Sequence, residues 1–185
     1  QISFISFTEL FVLNQQAFVE WWRFFSSMFL HGSLAHLIYN LFALGLFGSI
    51  LESFISGRRF LIVYFLSGIF ANVISILFYP SALGASGAIF GVIGTLVVIR
   101  PGLLVWAFGL PMPIFVAGVL WGLGDFIGAI GYLTGNPIDN TGNIAHLSGM
   151  IFGLLLGFLW RKRERRRVAR SRSRVVLDER SMRKW

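Results

Sequence analysis

An all-α bundle of membrane-spanning helices is what this sequence predicts, and three observations predict it. Hydrophobic residues make up 56% of the chain and charged ones 13%, with a mean hydropathy of +0.74, more apolar surface than one water-soluble domain of 185 residues can bury. Apolar stretches run at about 34–54, 60–79, 86–100, 112–133 and 144–160, each approaching the ~20 residues that carry a helix across ~30 Å of hydrocarbon. Breakers part them: Ser56-Gly57, Pro80-Ser81, Pro101-Gly102 with Pro111 and Pro113, and Gly135-Asn136-Pro137 through Gly142-Asn143. A transmembrane core of five spans and short loops over 34–160 follows.

Residues 1–33 precede the first span. Ile2 to Leu13 is apolar but interrupted by Thr8 and Glu9 and too short to cross, and Glu20-Trp21-Trp22-Arg23 places indoles where headgroups meet hydrocarbon. The region reads as an interfacial outer loop. The chain opens at Gln1, with no basic stretch leading into an apolar run and a small-residue cleavage site. The expectation is a fragment or processed form that lacks an upstream segment.

Charge orients the bundle. Of sixteen Lys and Arg, twelve lie between Arg161 and Trp185, and the others are Arg23, Arg58, Arg59 and Arg100. If the first span enters from outside at Leu34, all but Arg23 fall on the cytoplasmic side, as positive charge does in membrane proteins. The net charge of +8 therefore belongs to a basic cytoplasmic tail, 161–185, suited to anionic lipid. The arginines have no interleaved aromatic or glycine residues, so nucleic acid is not an expected partner. There is no cysteine, which removes disulfides and thiolate metal sites.

This orientation puts His36, Ser86 and His146 near the outer ends of the first, third and fifth spans, at one depth. Polar groups are costly there, and several converging are a candidate functional site. Ser86, in Gly84-Ala85-Ser86-Gly87-Ala88-Ile89-Phe90-Gly91, offers a nucleophile, and His146, in Ala145-His146-Leu147-Ser148-Gly149, offers a base. His36 and Asn40 are spaced i, i+4 and share a helix face. Their ring and amide N–H groups, with the unpaired Ser86 backbone N–H at a helix start, are donors for an oxyanion. Glycines at 87 and 91 after Ser86, and at 149, 153 and 157 after His146, let the two helices close to hydrogen-bond distance.

Singly, each residue has a plain structural role: Ser86 in helix packing, His146 bonded to a carbonyl, Asn40 bridging helices. Zinc on His31, His36 and His146 is not expected, because i, i+5 does not stack the first two and no His-Glu-x-x-His occurs. Asp125, in Gly122-Leu123-Gly124-Asp125-Phe126, lacks the second acid that aspartyl chemistry needs, and is assigned a structural hydrogen bond. No aspartate is seen to orient His146, and Ala88 breaks a Gly-x-Ser-x-Gly pattern. The expected machinery is a dyad without metal or cofactor.

Taken in order, Trp22-Arg23, His31-Gly32-Ser33-Leu34-Ala35-His36-Leu37-Ile38-Tyr39-Asn40, Glu52, Gly84-Ala85-Ser86-Gly87 and Ala145-His146 with Gly149 and Gly153 resemble a rhomboid intramembrane serine protease over about residues 20–160. The resemblance implies a six-helix core whose first helix would precede Gln1, leaving five spans here. It implies Ser86 as nucleophile, His146 as general base, an oxyanion hole of His36, Asn40 and the Ser86 N–H, and His31 and Gly87 in support. It implies that the loop 135–143 caps the site and that the span carrying Trp121 and Phe126 moves to admit substrate. Substrates would be single-span membrane proteins with small residues at the cleavage point and helix-breaking residues nearby. Phe90 stands where many relatives have tyrosine, so a ring can pack on His146 but not donate a hydrogen bond. The alternative is a non-catalytic rhomboid-like protein that binds membrane clients.

Overall fold

The computed structural model describes residues 7–161 of the chain. The basic tail beyond Arg161, for which contact with anionic lipid is expected, lies outside the described residues, as do the first six residues of the chain.

Among the described residues, five apolar helices form the bundle: α1 (Leu34–Phe54), α2 (Gly57–Ser75), α3 (Ser86–Ile99), α4 (Ile114–Leu133) and α5 (Asn143–Arg161). Four are long and apolar enough to cross a membrane. The exception is α3, whose 14 residues extend about 21 Å at 1.5 Å per residue, some 9 Å less than the hydrocarbon. It can be short because it is central: Ala88, Ile89, Val92, Ile93, Leu96 and Val98 are all buried, so protein rather than lipid surrounds its ends.

Small residues let α3 sit there. Apolar burial does not drive helices together in lipid, so close van der Waals packing must. A Cβ at Gly149 would overlap the carbonyl of Gly87, and one at Gly153 the carbonyl of Gly91, so α3 and α5 touch backbone to backbone. On the other side, the α2 stripe Val63, Ser67, Ala71 and Ser75 is fully buried and meets α3 at Gly87 and Gly91. Thr95 Oγ1 donates to Gly153 O at 2.9 Å and Gly91 O at 3.0 Å, a link averaging about 0.6 kcal/mol in bilayers.

Leu44–Gly48 of α1 is a π-helical stretch, a widened turn of the kind found at functional sites. It buries Phe47, whose ring stands edge-on to Trp121 of α4, 5.6 Å between centroids.

The bundle is mostly helical, as the sequence predicts, and among the described residues it carries two small antiparallel sheets besides. Strand β1 (Leu13–Asn14) pairs with β2 (Ser81–Ala82), tying the N-terminal region to the loop before Ser86. Strands β3 (Leu104–Ala107) and β4 (Leu110–Pro113) form a hairpin between α3 and α4. Its turn residues Phe108 and Gly109 have φ of 54° and 77°, the left-handed pair that suits a tight hairpin. The strand takes Pro111 and Pro113, so α4 starts at Ile114 rather than at 112.

Residues 7–33 make short helical turns, packed in part against α2. Arg23 is only 3% exposed because its guanidinium is consumed: Nη1 donates to Glu9 O at 2.6 Å and Val12 O at 3.0 Å, Nη2 to Gln16 Oε1 at 2.9 Å, and Nε pairs with Glu20. Asn72 of α2 donates to Phe24 O at 2.8 Å and Ser27 Oγ at 2.9 Å. Trp21 and Trp22 stay exposed.

Candidate active site

The loop into α3 aims Ser86. Gly84 has φ of 119°, a conformation L side chains rarely adopt, and its N–H is pinned to Ser27 O at 2.9 Å. A Cβ there would also press on the His36 ring, 2.8 Å from Cε1 and 2.9 Å from Nε2. Glycine thus brings His36 against the residue two before Ser86. As the first residue of α3, Ser86 has a backbone N–H without an intrahelical acceptor, at the positive end of the helix dipole.

His146 lies in the first turn of α5, and the α3–α5 seam delivers it to Ser86: Nε2 is 2.7 Å from Ser86 Oγ. Phe90, one turn along α3 from Ser86, lies flat on the imidazole, with centroids 4.3 Å apart and planes 7° from parallel.

No aspartate was expected beside His146, but the structural hydrogen bond assigned to Asp125 is made to this ring. Asp125 Oδ1 lies 3.0 Å from His146 Nδ1, with both side chains about nine-tenths buried. The signal was a lone acid in an apolar span. It was undervalued because 21 residues separate the two in sequence, and no helical spacing relates positions on different helices. Only the reversal of the chain through 134–142 brings α4 back beside α5.

His36 and Asn40 share a face of α1, as their i, i+4 spacing requires. Ser33 caps this helix, its Oγ accepting from His36 N at 3.1 Å. Gly32 N–H points to His36 Nδ1 at 3.4 Å, which leaves the Nε2 side to carry the ring proton. Asn40 Nδ2 donates one hydrogen to His36 O at 2.8 Å, keeping a second. His31 packs edge-on to His36 at 5.0 Å, its Nε2 buried without a hydrogen-bond partner. Gly87 faces Ala71, where a Cβ would collide. Among the described residues, no trio of His, Cys, Asp or Glu is placed to hold a metal.

These groups open into one cavity of about 1040 Å³, ample for water, which occupies ~30 Å³ per molecule in the liquid. Ser86, His146, His36 and Asn40 line its polar side, and Trp106, Phe108 and Trp121 its apolar side. Phe126, on the same helix as Trp121, is 55% exposed.

Residues 137 and 139–142 of the loop before α5 also line the cavity. Burial works to raise the Asp139 carboxyl, but hydrogen bonds from the Thr141 amide and hydroxyl and from the Asn143 amide outweigh it, with His146 adding its pull. The result lies below the usual carboxylate range. Burial pushes the Tyr79 phenol up, although Ile144 N–H donates to its oxygen at 3.1 Å. Tyr132 donates to Phe78 O at 2.7 Å. Both tyrosines thus fasten the loop ends to the start of the third helix's approach.

The Rhomboid domain family model matches residues 19–163. The chain is 34% identical over 154 residues to the putative rhomboid protease YdcA of Bacillus subtilis, covering 80% of this chain and 71% of that protein. It is 34% identical over 141 residues to the rhomboid protease GlpG of Haemophilus influenzae, covering 76% and 70%. A shorter similarity, 46% over 79 residues, links it to the rhomboid protease GluP of B. subtilis, covering 42% of this chain and only 15% of that longer protein. The family match spans every helix of the bundle and both ends of the Ser86–His146 contact, and the chain belongs to the rhomboid family of multi-pass membrane proteins.

Proposed function

We propose that the protein is an intramembrane serine endopeptidase that hydrolyses peptide bonds of single-span membrane proteins through an acyl-enzyme on Ser86. The observation that carries this reading is the 2.7 Å contact between Ser86 Oγ and His146 Nε2 at the wall of a cavity that admits water. A packing serine does not require an imidazole partner, a glycine seam and a water-sized cavity at one depth.

Ser86 Oγ attacks the scissile carbonyl carbon and passes its proton to His146 Nε2. Negative charge forms on the carbonyl oxygen, for which the Ser86 N–H, His36 Nε2–H and the second Asn40 amide hydrogen, all at the same cavity, are the donors, aided by the α3 dipole. The imidazolium then protonates the leaving nitrogen, the C–N bond breaks, and water from the cavity hydrolyses the ester with His146 again as base. The substrate helix must first unwind locally, since its carbonyls are otherwise bonded within the helix. Small and helix-breaking residues favour that.

In this reading the cavity opens to the outer face, the tail is cytoplasmic and near anionic lipid, 1–33 lies at the outer interface and 34–160 is the core. Movement of the 135–143 loop and of α4 admits substrate.

The test is labelling of the purified protein in detergent with a fluorophosphonate, beside cleavage of a model single-span substrate. Wild type labels and cleaves, while Ser86→Ala and His146→Ala do neither. A folded wild type that binds the substrate and is inert in both assays supports client binding without catalysis.

A further inference from the structure

The sequence left His146 without an orienting group, yet Asp125 Oδ1 sits 3.0 Å from its Nδ1. We infer that Asp125 is the positioning residue of this site: its carboxylate holds the Nδ1–H of His146, directs the Nε2 lone pair at Ser86, and stabilises the imidazolium formed during proton transfer. The inference rests on the catalytic reading above.

Three observations carry it. Asp125 stands on the inward stripe of α4 with Ala117, Gly118, Gly128 and Ala129, all buried, so its carboxyl faces the bundle and not lipid. A carboxylate at that depth costs several kcal/mol unless it is paired, and the pairing is with His146. The two contacts of the imidazole lie on opposite ring nitrogens, Asp125 at Nδ1 and Ser86 at Nε2. A bond that merely joined α4 to α5 needs no second contact on the other nitrogen.

The chemistry balances without Asp125 taking a proton. Oγ–H breaks as Oγ–C forms, the proton rests on Nε2, and the later N–H bond to the leaving amine returns the ring to neutrality. Asp125 accepts the same Nδ1–H throughout, and its bond strengthens while the ring is charged. The other titratable or polar groups around the ring are Ser86 from α3, His36 from α1, Tyr79 from the turn after α2 and Asp139 from the loop before α5.

Asp125→Asn keeps the shape and removes the charge. In detergent, with a fluorogenic single-span peptide, kcat should fall about 10²- to 10⁴-fold with KM within about threefold. An amide does not demand the Nδ1–H as a carboxylate does, so the ¹⁵N spectrum of His146 in this variant should lose its preference for the Nδ1–H tautomer. Wild-type kcat and tautomer in Asp125→Asn, with Ser86→Ala inert, overturn this inference and leave the protease reading standing. A lowered kcat with an unchanged tautomer and a lowered melting temperature assigns Asp125 a structural role and also overturns it. Full cleavage by Ser86→Ala overturns the protease reading itself. Should Asp125→Asn fail to fold, ¹⁵N spectra of wild-type His146 decide: the Nδ1–H tautomer supports the inference, the Nε2–H tautomer overturns it.

Discussion

Gly149→Ala tests whether the backbone seam between α3 and α5 sets the Ser86–His146 distance. The added Cβ would overlap the Gly87 carbonyl, and ordinary contact begins only at 3.4 Å, so the helices must part locally by roughly an ångström. Gly87 follows Ser86 directly, and Gly149 is one turn from His146. An opening of that size would stretch Oγ···Nε2 from 2.7 Å to about 3.7 Å, beyond hydrogen-bond range. Misplacement of reacting groups on this scale costs about 10²-fold in rate, and overpacking a close-packed contact costs about 1–3 kcal/mol of stability. Fluorophosphonate labelling rate and thermal melting in detergent read the two effects separately. Gly102→Ala, where a Cβ meets nothing within 4 Å, is the control. If Gly149→Ala labels and melts like wild type, the seam does not control the geometry and the packing argument is wrong.

Other substitutions probe the supports around that contact. Phe90→Leu removes the flat face against His146, and since such stacks contribute about 0.5–1.5 kcal/mol, labelling should slow by up to about tenfold while the melting temperature stays within a few degrees. Arg23→Ala leaves Glu20 and two backbone carbonyls without their buried partner, at a cost of about 3–5 kcal/mol; a large fall in melting temperature is expected, and Arg23→Lys, lacking the planar fork, should not restore it. The Tyr79 phenol is raised by burial, so its contribution to stability is complete below the unfolded tyrosine value near pH ~10 and is lost as pH climbs through the folded value. Melting curves from pH 9 upward should therefore fall more steeply for wild type than for Tyr79→Phe, and parallel curves would refute the assignment.

The spans were legible because lipid imposes a length and a composition on them, and breakers such as Pro80 and Pro101 mark their ends. The hairpin at 104–113 was not, because Leu104, Trp106 and Leu110 are apolar on the exposed side and lack the polar alternation that reveals a strand in water. The shortness of α3 was visible in the stretch 86–100, but its cause was not, as apolar content cannot distinguish a helix wrapped in lipid from one wrapped in protein. Within the site, Ser86 with Phe90 and His36 with Asn40 were readable as pairs because i, i+4 is a property of one helix. Asp125 with His146 is a property of how two helices meet.

That meeting has its own local determinants. Gly128 faces the Asn143 side chain so closely that a Cβ would collide with it, and Asn143 Nδ2 donates to Asp139 Oδ1 at 3.3 Å. The end of α4 is thus held against the start of α5 one turn from each member of the Asp125–His146 pair. If α4 swings outward to admit a substrate helix, as the proposed gating requires, it pivots near this contact and must carry Asp125 with it. Movement large enough to break 3.0 Å contact would disarm the base, so admission and catalysis would be separate states of the same helix. A disulfide-free way to test this is to shorten the lever: Trp121→Ala weakens the packing of α4 on Phe47 of α1 well below the pivot. Easier opening should raise substrate capture, seen as a lower KM, without lowering kcat, which depends on the Asp125–His146 contact. A kcat that falls in Trp121→Ala would instead mean that gate and base move as one.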